Sequence, residues 1–228
     1  MQKAVRIIAL VAVFGLILVA IITSTVKPVK IEENIWTEAM TLGDVETANR
    51  HYVVYTDLMC PYCNYYAHTI WENDGDFQQF LADHHILYEV RMTDMLYEGS
   101  GVEFSRPAAV AAYCAARENK FWDYYHLALD SLFTDYYEKG YGNSKTAPKI
   151  PDMTLDYWLE IGKEVGLSDE FAACYKNQET LSEVKNNTYR ASDKVSGLPY
   201  FYFDKYITGG FDPGWGWAEV SALLKAGL

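Results

Sequence analysis

The feature that most constrains this 228-residue chain is a change of character inside VVYTDLMCPYCNYY, residues 53–66. A β-branched and aromatic run of strand length stops at Asp57, and Cys60-Pro61-Tyr62-Cys63 opens a stretch of helical periodicity. Proline suits the first position of a helix, because its fixed φ is already helical and its missing N–H had no partner there. Cys60 therefore falls at a helix N-terminus. Cys63, three residues on, returns to roughly the same face, within disulfide reach. A strand that feeds directly into a helix needs a sheet with helices laid over it.

That placement points to redox chemistry. The unpaired N–H groups and the positive dipole end of the helix favour the thiolate of Cys60, and a stabilised thiolate is a good leaving group. Cys60 is expected to be the exposed, attackable sulfur and Cys63 the buried resolving thiol. A staple across three residues would add little, since loop-closure gain grows with the logarithm of loop length. A structural zinc site wants a second cysteine or histidine pair at matching spacing. Here Cys114 and Cys174 stand alone, and His84 and His85 are adjacent. No metal site is assigned and no cofactor is expected. A Cu(I)-carrying pair, which soft thiolates suit, stays open, as does a redox-inert pair.

The rest of the chain sets the compartment. Residues 1–30 contain no acid, and IIALVAVFGLILVAII spans residues 7–22. With Thr23 to Val26 the run reaches about 20 residues, the length of a membrane-spanning helix. We read an uncleaved N-terminal anchor. A cleavable signal peptide is the rival, but it has a shorter apolar region and a small-x-small site that fits poorly here. Residues 31–228 hold all 31 acidic residues and all but four of the 19 basic ones, a formal charge of −16. Such a surface repels nucleic acid and anionic headgroups, so nucleic-acid functions are discarded.

Periodicity gives the order of elements. Strands are expected at 51–57 and 85–92, with two helices between them up to about residue 82. A long helical pattern covers 106 to about 133, a surface loop 134–153, and further helices 154–165 and 168 to about 194. The strands YFYF and YIT, a turn at Asp204-Lys205 and a helix from about 215 to 225 close the chain. A βαβ unit joined to a ββα unit through a helical insert at about 104–195 follows. The sheet is expected to be mixed, with helices on both faces. The domain so defined is 31–228.

Four stretches carry a resemblance: TDLMCPYC, SRPAAVAAYCAARENKFWDYYHLALDSLF, LSDEFAACYKN and VSGLPYFYFDKYITGGF. Over about residues 40–226 the chain resembles the DsbA-like branch of the thioredoxin superfamily, in particular the membrane-anchored bacterial thiol–disulfide oxidoreductases. The resemblance implies a thioredoxin-like α/β fold and a protein that passes its disulfide to exported cysteine-containing proteins. It also implies a quinone-linked membrane partner that reoxidises it. Pro199 would be the cis-proline facing the cysteines, and Leu198 the residue whose backbone pairs with the substrate. Leu198 stands where Thr or Val is usual. The buried acid that thioredoxins carry six residues before the first cysteine is replaced by Val54, and Asp57 is expected at the strand's mouth, in solvent. Tyr62, without a basic group between the cysteines, implies a milder oxidant than a CPHC site. A reductase or isomerase of the same fold stays open. Cys114 and Cys174 lie on apolar helical faces. They are either two buried thiols or a structural disulfide, which an even count and an oxidising compartment favour.

Overall fold

The computed structural model describes residues 38–228 apart from 145, 152, 193, 194, 204 and 205. The expected N-terminal span and the Asp204-Lys205 turn lie outside the described residues. Among those residues no helix is long and apolar enough to cross a membrane.

A five-stranded sheet has the order β1-β3-β2-β4-β5. Its strands are β1 (Thr41–Leu42), β2 (Arg50–Thr56), β3 (Ile86–Met92), β4 (Tyr200–Phe203) and β5 (Tyr206–Gly209). β2 and β3 run parallel, and the other pairs are antiparallel, so the sheet is mixed as the order of elements implied. The parallel pair needs a crossover. Two helices, α1 (Pro61–Glu72) and α2 (Asp74–Asp83), supply it.

Strand register decides what each face buries. Val54 lies beside Val90 on one side and Phe201 on the other, and Tyr52 lies beside Tyr88 and Phe203. α1 covers this row through Tyr66, whose ring meets Phe201 at 4.8 Å, and α2 covers it through Phe77, 5.0 Å from Tyr88. The last helix, α9 (Trp217–Ala226), is tied down where the Tyr52 hydroxyl donates to the Leu224 carbonyl at 3.0 Å. A Cβ on Gly227 would sit 2.5 Å from that hydroxyl oxygen, so the close approach needs glycine. On the next row, Glu89 is fully buried and is held by Arg91 (2.8 Å) and His51 (2.6 Å).

Between β3 and β4 the chain builds a helical block. It contains α3 (Met95–Ser100), α4 (Ser105–Arg117), α5 (Phe121–Leu132), α6 (Asp156–Glu164), α7 (Asp169–Tyr175) and α8 (Gln178–Ser192). Two expected helices are broken. The pattern over 106–133 stops at Asn119, whose φ of 55° is the left-handed conformation that asparagine tolerates. The pattern over 168–194 stops at Asn177, whose side chain accepts the Glu179 N–H at 2.7 Å and so caps a new helix. The loop expected from residue 134 instead begins with a π-helical turn, Phe133–Tyr137, that buries Tyr137.

Candidate active site

The site is built where β2 ends. Asp57 turns the chain twice: its carbonyl accepts the Cys60 N–H at 2.9 Å, and its carboxylate accepts the Met59 N–H at 2.9 Å, an Asx-turn. Cys60 then caps α1 with extended backbone (φ −89°, ψ 113°), and Pro61 takes the first turn. The Cys60 sulfur accepts the Cys63 N–H at 3.4 Å, one of the donors a helix N-terminus leaves free. As a thiol, Cys60 also donates to the Leu198 carbonyl at 3.8 Å. The Leu198–Pro199 peptide is cis. The fold thus brings Cys60, Pro61, Cys63, Leu198 and Pro199 together from two ends of the sequence. Tyr62 points outward, 40% exposed.

Two expectations about exposure fail. Cys60 is only 4% exposed and Cys63 only 1%, because the Leu198-Pro199 segment lies against the turn. Both are free thiols here. The sulfurs nonetheless differ. Burial pushes the Cys63 thiol well above its ordinary pKa, helped by the Cys60 sulfur, against weaker pulls from the Thr56 hydroxyl and the Asp57 backbone.

The second failure is Asp57, which is fully buried rather than solvated. The helical block closes over the strand's mouth. The Ser105 hydroxyl donates to the carboxylate at 2.5 Å and the Leu96 N–H at 3.0 Å. Burial raises its pKa to about 6, while those donors hold it from going higher. A buried acid does sit under the cysteines, but three residues before the pair rather than six. Val54 is core, beside Val90 and Phe201.

Cys114 of α4 and Cys174 of α7 form a disulfide with Cα atoms 5.8 Å apart. It lies in the helical block. Among the described residues no group of three or more His, Cys, Asp or Glu side chains is placed to hold a metal ion. Sequence reasoning passed over Tyr137, which is buried at the end of the π-helical turn. Burial, above all, pushes its phenol well above the ordinary value. The only signal for it in the sequence is an aromatic pair, Tyr136-Tyr137, in a segment that otherwise reads as loop.

No family model matches the chain, and no curated protein does. Solved structures do. The chain is similar to MdbA, a thiol-disulfide oxidoreductase from Corynebacterium diphtheriae. Identity is 16%, with a TM-score of 0.60 over 86% of this chain and 95% of that one. It is similar to alpha-DsbA1 of Wolbachia pipientis at 15% identity and a TM-score of 0.58, over 82% and 89% of the two chains. The catalytic domain of Proteus mirabilis ScsC gives 13% and 0.55 over 86% and 90%. At such identities likeness establishes the fold alone. That fold is the thioredoxin-like fold in its DsbA-like form, a mixed sheet with a helical block between β3 and β4.

Proposed function

We propose that the chain is a thiol–disulfide oxidoreductase acting through Cys60 and Cys63. The observation that carries this reading is the inequality of the two sulfurs. Cys60 takes a free N–H at a helix N-terminus, while burial keeps Cys63 a thiol. In the disulfide form a substrate thiolate attacks Cys60. A mixed disulfide forms, and the Cys63 sulfur leaves and takes a proton. The substrate's second thiolate then attacks its own bonded sulfur and releases Cys60 as a thiolate. The substrate leaves with a new disulfide, and its two electrons stay on the Cys60–Cys63 pair. The Leu198 carbonyl, already beside Cys60, would pair with the substrate backbone.

The direction we favour is oxidation of exported cysteine-containing proteins by a membrane-tethered, extracytoplasmic protein, with a quinone-linked membrane partner restoring the disulfide. The apolar N-terminal run supports the tether. The Cys114–Cys174 disulfide supports an oxidising compartment.

The test removes each sulfur in turn. Cys63→Ala keeps the attacked sulfur without its resolving partner, so it should accumulate mixed disulfides with exported proteins, seen as high-mass bands that collapse on reduction. Cys60→Ala should give none. Equal loss of Cu(I) binding in both variants with no trapped partner would overturn the reading in favour of a copper module. Alkylation trapping in cells fixes the direction, since a pair found reduced at steady state would mark a reductase or isomerase.

A further inference from the structure

A groove opens beside the cysteine turn. Its volume is about 450 Å³, within the roughly 300–1,000 Å³ of ligand clefts, and its apolar lining is Met59, Val102, Phe104, Ala147, Pro148 and Ile150. Leu198 and Pro199 are not part of that lining, so the groove is separate from the segment that lies on Cys60. Met59 is buried in it, and its Cα is one peptide, about 3.8 Å, from that of Cys60. A substrate cysteine that reaches Cys60 must bring its own chain neighbours close by, because an extended chain advances only about 3.3–3.6 Å per residue. The groove therefore lies within reach of the residues that flank the reacting cysteine.

Hydrogen bonds fix its walls. The segment from α3 to α4 is tied at both ends to the Asp57 carboxylate, by the Leu96 N–H at 3.0 Å and the Ser105 hydroxyl at 2.5 Å. Val102 is held between those ties: its N–H donates to the Leu96 carbonyl and its carbonyl accepts the Ser105 N–H, both at 3.1 Å. The same carboxylate holds Met59 through its N–H at 2.9 Å. In the opposite wall the Gly142 N–H donates to the Pro148 carbonyl at 2.8 Å. Gly142, at φ 63°, makes room for Ile150, whose side chain would lie 2.8 Å from a Cβ there. A cleft formed in advance loses little ordering free energy when it binds. Its chemistry is also selective. Val102, Phe104, Ala147 and Ile150 are half-buried and keep apolar surface open, and methionine adapts to apolar side chains of different shape. Glu103 and Lys149, both exposed, add one charge of each sign, so no net sign favours an acidic or a basic occupant.

We infer that this groove is a specificity subsite of the exchange reaction, which takes an apolar side chain of leucine or phenylalanine size flanking the reacting cysteine of a substrate polypeptide. The inference rests on the proposed exchange activity and adds to it a preference among substrates. Met59, Val102 and Ile150 determine which chain binds, and the sulfur chemistry stays with Cys60 and Cys63.

The test gives the oxidised protein two sets of dithiol peptides that differ only beside one cysteine, with leucine or phenylalanine in one set and serine in the other. The readout is the ratio of kcat/KM between the sets. Wild type should favour the apolar set about tenfold, mostly through KM, since burying one such side chain is worth at least that factor. Val102→Glu puts a charge in the groove and should bring the ratio to within twofold. A variant that is merely damaged lowers both sets together and leaves the ratio unchanged. A second measurement needs no variant to fold: in wild type carrying ¹³C-methyl methionine, the Met59 signal should move with a leucine peptide whose cysteines are serine, and stay with its serine-flanked counterpart. A wild-type ratio within twofold, a ratio that survives Val102→Glu, or a Met59 signal that does not move overturns the inference. If wild type exchanges no disulfide with either set or with glutathione, the fault lies with the proposed activity. If it oxidises both sets alike, only the groove's role falls.

Discussion

Replacing Asp57 with asparagine should flatten the dependence of stability on pH. An unfolded aspartate titrates near 3.9, and the buried Asp57 carboxyl titrates at about 6. Between those values the native chain holds more protons than the unfolded one, so stability falls as pH rises through the window. Two units at 1.36 kcal/mol each make the full cost about 3 kcal/mol, present above pH 6 and absent below about pH 4. Asparagine cannot ionise and escapes that cost. It has losses of its own, because one carboxylate oxygen accepts both the Ser105 hydroxyl and the Leu96 N–H while the other accepts the Met59 N–H. An amide nitrogen in either place would face a donor. Those losses are independent of pH across the window to first order, so the slope isolates the ionisation. Urea unfolding of reduced wild type and Asp57→Asn at pH 4, 5, 6 and 7 should show the variant gaining about 3 kcal/mol relative to wild type from the acid end to the neutral end. That is roughly 6–12 °C in relative Tm at 2–4 °C per kcal/mol. Parallel profiles would refute the assignment of a perturbed, buried carboxyl to Asp57.

Two further outcomes follow from the packing. Cys114 and Cys174 are 60 residues apart in sequence, and replacing both with serine should cost about 4 kcal/mol in the chain-entropy account, read as a drop in urea midpoint under non-reducing conditions. Arg91→Met should cost about 3–5 kcal/mol at neutral pH, because it strips Glu89 of its guanidinium partner and leaves the carboxylate buried. Burial pushes the Glu89 carboxyl up, but His51 and Arg91 hold it below its ordinary pKa; without Arg91 burial is less opposed, the variant takes up the proton at higher pH than wild type, and the gap should narrow as pH falls from 7 towards 4. A gap constant from pH 7 to pH 4 would rule that account out.

The parts of this molecule that sequence reveals are those set by neighbours in the chain. Strand and helix around Cys60 depend on Val53 to Tyr55 and on Pro61, all local, and the structure places both as read. Helix breaks were harder to see. Asn119 and Asn177 sit inside runs with good apolar spacing, and each acts through one conformation or one side-chain bond that periodicity does not register. Asp57 was misjudged for a different reason. Its donors Ser105 and Leu96 are 48 and 39 residues away, so no window around residue 57 could show that the carboxylate would be covered.

That long reach changes how the site should be understood. Leu96 lies in the first turn of α3 and Ser105 is the first residue of α4, so the two helices that open the helical block both aim N-terminal donors at one carboxylate under the cysteines. The sheet contributes the cysteine turn and the Leu198-Pro199 segment, and the helical block contributes the acid's partners. Where Val54 would offer the sheet's own acid, the strand is filled with core instead. The acid beneath the cysteines is therefore held by donors of the helical block. Substitutions of Ser105 that leave both cysteines untouched are accordingly expected to act on the exchange reaction through Asp57, whose carbonyl accepts the Cys60 N–H, whereas substitutions in the sheet core act on stability.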